Sequence, residues 1–152
     1  MNNDIKYMRE ALKEAKKAYS KNEIPVGCVI VYNDKIIARG YNKREKDNLA
    51  ISHAEIVAIN KASKKLNSWR LEDCKIYITL EPCVMCSGAI IQSRIKEVIY
   101  GARDYRFGCH KSLINLFDVD FNHKVIIRDS VLEEECSMLI SNFFKELREN
   151  KN

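Results

Sequence analysis

Proline and glycine are scarce: two and five residues in a chain of 152. That leaves little room for a disordered linker or a collagen-like stretch. Internal repeats and low-complexity segments are missing. No apolar run approaches the roughly 20 residues of a membrane span. Met1 to Asp4 lead into an amphipathic segment without the apolar core of a signal peptide. These absences point to a single domain over residues 1–152, cytoplasmic, with no membrane segment and with reduced thiols. Charge of one sign is also in short supply. Lys and Arg number 26 against 21 Asp and Glu, a net +5. That balance suits a polyanionic partner such as nucleic acid and equally suits a solvated, slightly basic surface.

What is present is an ordinary globular mixture, 46% apolar and 31% charged. Six cysteines could form three disulfides only in an oxidising compartment. In a reducing one, a close Cys pair reads as a metal or redox site.

Periodicity supplies the elements. Ile5, Met8, Leu12, Ala15 and Tyr19 recur at steps of three and four, which predicts a helix from residue 4 to about 20. Val26–Tyr32 and Lys35–Tyr41 read as a hairpin closed at Asn33-Asp34, and the polar stretch Lys43–Asn48 as loop. A helix is expected over His53–Leu66 and a strand over Cys74–Leu80. Pro82 suits the first position of a helix running to about Ser93. Lys96–Tyr100 should be a strand ended by Gly101. A loop with a short helix follows, then a weak strand at Lys124–Ile127 and an amphipathic helix at Leu132–Leu147. This alternation predicts a three-layer α/β/α fold around a mixed sheet of five strands.

Two segments carry chemistry. The first is His53-Ala54-Glu55 and the second Pro82-Cys83-Val84-Met85-Cys86, each opening a helix. Residues three apart on a helix share a face, so Cys83 and Cys86 can address one metal. The helix N-terminus favours the thiolate form that binds zinc. His53 brings the count to three protein ligands, which leaves the open fourth position of a catalytic rather than a structural zinc site. Glu55, two residues from His53, is poorly placed as a companion ligand. It is better placed to move protons for a zinc-activated water, whose pKa falls to about 7.

Plainer readings exist. Ser52 with Glu55 fits a capping box. A His-x-Glu triplet arises by chance in roughly one chain in five of this length. Pro-Cys-x-x-Cys is far rarer, and its competitor is a redox dithiol. No second Cys pair exists to complete a zinc ribbon. The order of the two segments resembles the signature of zinc-dependent nucleobase deaminases.

From Pro25-Val26-Gly27 onward the chain is similar to bacterial tRNA-specific adenosine deaminases. The likeness rests on Gly40-Tyr41-Asn42, His53-Ala54-Glu55-Ile56 and the run Thr79 to Ala89. It continues through Ser93-Arg94-Ile95, Gly101-Ala102-Arg103-Asp104, Ser112-Leu113, Asn122-His123 and Cys136. The resemblance implies a cytidine deaminase-like fold and one zinc per subunit, held by His53, Cys83 and Cys86. It implies Glu55 as proton shuttle and Asn42 as a hydrogen-bonding partner of the flipped base. The implied substrate is the wobble adenosine of a tRNA(Arg) anticodon stem-loop, converted to inosine by a homodimer. The chain departs from the family at Cys109-His110-Lys111 and Ile51-Ser52.

Weaker expectations attach to other residues. Arg103 and Asp104 are candidates for a loop near substrate. Phe143 and Phe144 are candidate base stackers, with at least one expected in the core. Lys145, Arg148 and Lys151 are candidate phosphate contacts or a solvated helix end. Trp69 is expected to pack. Two rival functions share the motifs: deamination of a free base or small nucleoside, and a catalytically silent zinc module.

Overall fold

The amphipathic N-terminal stretch folds in the computed structural model, which describes residues 2–150, as α1 (Asn2–Ser20). The hairpin follows as β1 (Gly27–Tyr32) and β2 (Lys35–Tyr41). Asn33 and Asp34 turn it with φ of 51° and 60°. Two left-handed residues in a two-residue loop match the strands' right-handed twist, and Asn and Asp tolerate that conformation best after Gly. A short helix, α2 (Arg44–Asp47), occupies the stretch expected to be loop. Then come α3 (Ala54–Leu66), β3 (Lys75–Leu80), α4 (Val84–Gln92), β4 (Glu97–Ala102), one 3-10 turn (Leu116–Asp118), β5 (Ile126–Arg128) and α5 (Glu133–Glu149).

The five strands form one mixed sheet in the order β2-β1-β3-β4-β5. β1 runs antiparallel to both β2 and β3, while β3, β4 and β5 run parallel. Helices cover both faces, as the alternation of elements predicts. On one face, Tyr7, Met8, Ala11 and Leu12 of α1 and Cys136 of α5 pack on Val29, Tyr77 and Ile99. On the other, Ala54, Ala58 and Ala62 of α3 and Ile90 of α4 pack on Cys28, Ile30, Ile76 and Ile78. β3 alternates its side chains between two covered faces, so Ile76 to Thr79 are buried without a break.

Three of the departures from the sequence reading have a visible reason. Gly101 lies inside β4 rather than ending it. A Cβ there would fall 2.4 Å from Cys136 Sγ, so the missing side chain lets α5 approach the strand. Ser52 does not cap α3, because its hydroxyl donates to Asp47 at 2.9 Å and His53 takes the cap position. Pro82 stands before α4 rather than in its first turn, with Cys83 at the cap.

Candidate active site

Two helices begin at the same place, beyond the C-terminal end of β3. α3 starts after His53, and α4 starts after Cys83. Both segments therefore point the positive end of a helix dipole at one spot. His53 Nδ1 lies 3.7 Å from Cys83 Sγ and 3.6 Å from Cys86 Sγ. The three ligand atoms lie within 4.8 Å of one another, and no other such group of three occurs among the described residues.

Those distances can be tested against a metal. Zn–S of about 2.3 Å and Zn–N of about 2.05 Å at a tetrahedral angle put sulfur and nitrogen about 3.6 Å apart. The observed spacings match that value. The donor set, one imidazole and two thiols, is also one that zinc favours.

The electrostatics are those of a crowded, dry cluster. Glu55 is 4% exposed, and burial pushes its carboxyl up to about 7. Cys83 is pulled down to about 4, first by the Cys86 thiol donating to it and then by His53. Cys86 is pushed far up, because it keeps the proton that the pair shares. The hydrogen bond to Cys83 raises His53. A metal takes the place of these shared protons, so its binding releases them.

A cavity of about 350 Å³ opens beside the cluster. Its walls are mostly apolar, with Ile24, Val26, Leu80, Met85 and Phe107 among them. Asn42, Glu55 and Asp104 are its polar groups of note. Asn42 is 6% exposed. Its Nδ2 donates to Ile24 O at 3.2 Å, and its Oδ1 accepts from Arg44 N at 3.1 Å. One N–H and one lone pair of that amide stay available to a ligand.

The family model for the cytidine and deoxycytidylate deaminase zinc-binding region matches residues 1–102. The chain belongs to that deaminase family. It is 49% identical to the tRNA-specific adenosine deaminase of Bacillus subtilis over 99% of this chain and 94% of that one. Its fold matches a solved structure from a study of A-to-I editing by tRNA:A34 deaminases at the wobble position. That match has a TM-score of 0.85 and 35% identity, and covers 88% of this chain and 97% of the other. A guanine deaminase from Bacillus subtilis also matches, at TM-score 0.62 and 31% identity over 77% of this chain and 85% of that one. As a member of this family the chain is a zinc-dependent deaminase.

The remaining sequence candidates separate. Asp104 and Phe107 line the cavity. Arg103 is held back from it, donating to Lys111 O at 2.7 Å and lying 4.7 Å over the Tyr105 ring. Phe143 is buried and meets Tyr19 edge-on, while Phe144 is 37% exposed. Lys145 and Arg148 are exposed on α5, and Lys151 lies outside the described residues. Trp69 does not pack in the core. It is 57% exposed and is flanked by the guanidinium groups of Arg70 and Arg94. Cys109 and His110 do not join a metal group, since the His110 ring pairs with the Tyr100 hydroxyl at 2.7 Å.

Two residues that the motif search did not single out are Glu23 and Glu81, each 2% exposed. Glu81 stands inside the Leu-Glu-Pro-Cys run, but nothing in that run shows that its charge is buried. No signal marks Glu23 either.

Proposed function

We propose that this chain hydrolyses the exocyclic amine of an adenosine in RNA, specifically the wobble adenosine of a tRNA(Arg) anticodon loop, to give inosine. One observation carries the reading: His53, Cys83 and Cys86 converge at tetrahedral spacing with the buried Glu55 beside them. Relatives that share half the sequence are tRNA-specific adenosine deaminases.

In this reading His53 Nδ1 and the two thiolates hold one zinc per subunit, and residues 1–152 form one deaminase domain. Zinc held there would supply a water acidified toward a pKa of about 7. Glu55 accepts the proton given up as oxygen adds to C6. It delivers that proton to N1, then moves the proton of the newly added C6 hydroxyl to the departing amine, so that C6–N6 breaks, ammonia leaves and the C6 carbonyl of inosine remains. A carboxyl raised toward neutrality suits both halves of that exchange. Asn42 spends its spare N–H and lone pair on the edge of the base. The apolar walls fit a base turned out of its stack and keep competing water away.

The reading includes a homodimer. No charged residue occurs between Glu81 and Arg94. The outer face of α4 is uncovered, with Val84 60% exposed and open space around Gly88. A second copy laid on that face would bury it. No helix among the described residues is long and apolar enough to cross a membrane. We place the enzyme in the cytoplasm, with its RNA.

The test is inosine formation in an anticodon stem-loop by zinc-loaded protein, beside free adenosine, cytidine and guanine. Inosine at the wobble position, lost by at least about 100-fold in Glu55→Ala with zinc retained, is the expected result. Ammonia from free guanine alone would transfer the chemistry to the guanine deaminase branch.

A further inference from the structure

The chemistry above leaves three buried carboxylates unused: Glu14, which is paired with Lys17 and Arg39, and Glu23 and Glu81, which have no cationic partner among the described residues. Burying a charge is costly unless hydrogen bonds replace its water, so the partners of Glu23 and Glu81 reveal what the fold obtains from them.

Glu81 is surrounded by the segment after β4. Its Oε2 accepts from three consecutive backbone N–H groups: His110 at 2.8 Å, Lys111 at 2.9 Å and Ser112 at 3.3 Å. Its Oε1 accepts from Asp104 N at 3.1 Å and Ser112 Oγ at 2.6 Å. Burial alone would raise this carboxyl, but the donors outweigh it and hold it below the ordinary value. Gly108 closes the ring. A Cβ there would lie 2.4 Å from Glu81 Cδ and 2.5 Å from its Oε1.

Glu23 does the same on the other side of the pocket. Its Oε1 accepts from Glu45 N at 3.0 Å and its Oε2 from Lys46 N at 2.7 Å. Lys43, at the cap of α2, makes no capping bond of its own. Glu23 supplies the missing acceptor from a distant part of the chain.

The two segments held in this way are the two irregular walls of the cavity. Arg44 and Ala50 line it from one, Asp104 and Phe107 from the other. Neither wall is part of the sheet, so neither gains order from strand pairing. We infer that Glu23 and Glu81 are positioning residues that hold both walls in their binding geometry before RNA arrives. Loops ordered in advance do not subtract their ordering entropy from the affinity for substrate. The arrangement also accounts for the departure at Cys109-His110-Lys111. The bonds to Glu81 come from backbone N–H groups, which are indifferent to the side chains there.

This inference rests on the RNA deaminase reading, and one experiment separates the two. Zinc-loaded wild type, Glu81→Gln, Glu23→Gln and Gly108→Ala are assayed on the anticodon stem-loop, with zinc content and thermal midpoint measured on each. Glutamine presents an amide N–H where a carboxylate oxygen accepts, and so repels the wall. Gly108→Ala keeps the carboxylate and pushes the wall off it. The expected result is a KM raised by about 10-fold or more, with kcat within about 3-fold and zinc unchanged. A fall in midpoint, zinc or kcat with KM unchanged assigns these carboxylates to stability alone and overturns the inference. So does failure of all three variants to fold. A wild type inactive on the stem-loop instead removes the functional reading on which it rests.

Discussion

Cavities of similar size lie at the two ends of β3, about 400 Å³ near Lys75 and about 350 Å³ near Leu80 and Glu81. Both are lined by ionisable groups, yet the groups are arranged in opposite ways. At the first, the Asp4 and Glu97 carboxylates are bonded to cations and to a hydroxyl. Arg128 donates to both Asp4 and Glu97, the Tyr77 hydroxyl donates to Asp4 at 2.7 Å, and Lys75 faces Glu97. The Arg128 guanidinium holds Asp4 below the ordinary carboxyl value. At the second, two thiols, an imidazole and a carboxyl crowd together, and burial raises Glu55 to about 7. The first arrangement stabilises the fold. The second leaves charge uncompensated, which a metal and a reacting substrate can use.

The sharpest way to break this comparison is to remove a ligand. Cys86→Ser keeps the shape of the cluster but replaces a thiolate with a hydroxyl that stays protonated at neutral pH. Zinc affinity should fall by more than about 100-fold, the upper end of the loss seen on removing an outer-shell partner. Deaminase activity should fall with it. Competition with a chromophoric chelator measures the first and inosine formation the second. Tight zinc binding in this variant would mean that the convergence of His53, Cys83 and Cys86 is not the metal site.

A second prediction concerns sign. In metal-free protein, Glu55 is protonated in folded and unfolded chains alike below about pH 4.5. Between there and about 7 the unfolded chain has released its proton and the folded chain has not. Rising pH therefore favours unfolding, by up to about 3 kcal/mol for a shift of that size. Glu55→Gln removes this penalty. It should leave stability nearly unchanged at pH 4 and raise it at pH 8, while abolishing turnover. Urea denaturation of the metal-free proteins at both values checks this. A variant less stable than wild type at pH 8 would show that the Glu55 charge is compensated in the fold after all.

The same contrast explains what could be read from the sequence. The convergence of His53, Cys83 and Cys86 was legible because its signals are local. A Cys-x-x-Cys step places two thiols on one turn, and a His-x-Glu step turns the imidazole and the carboxyl to different sides of the helix start. The five strands and both helical layers were legible from the hairpin signal at Val26–Tyr41, the alternation of short strand segments with helical ones after it, and the threefold and fourfold spacing in α1. Glu23 and Glu81 were not, because their partners are backbone N–H groups far along the chain, which leave no side-chain pattern. The capping box at Ser52 was misleading for a related reason. The motif was present, but Asp47 offered its hydroxyl another partner. Trp69 was misjudged because two arginines, one of them close only in the fold, shelter an exposed ring.

The smallest expected effect lies at the quiet end of the sheet and carries the opposite sign to that of Glu55. Above about pH 4 Asp4 is charged whether the chain is folded or not, and its contact with Arg128 stabilises the fold in full. As pH falls, the unfolded chain takes up its proton first, and this contribution is lost until the lowered folded value is passed. Asp4 is shielded but Arg128 is 42% exposed, so solvent screens the pair and its worth is about 1 kcal/mol or less. Asp4→Asn should therefore lower stability slightly at pH 7, lower it by less at pH 3, and leave inosine formation unchanged. Denaturation curves at the two values test the first part, and the stem-loop assay tests the second. A loss of activity would show that the two ends of β3 are coupled, and the division between stabilising and reacting charge would then fail.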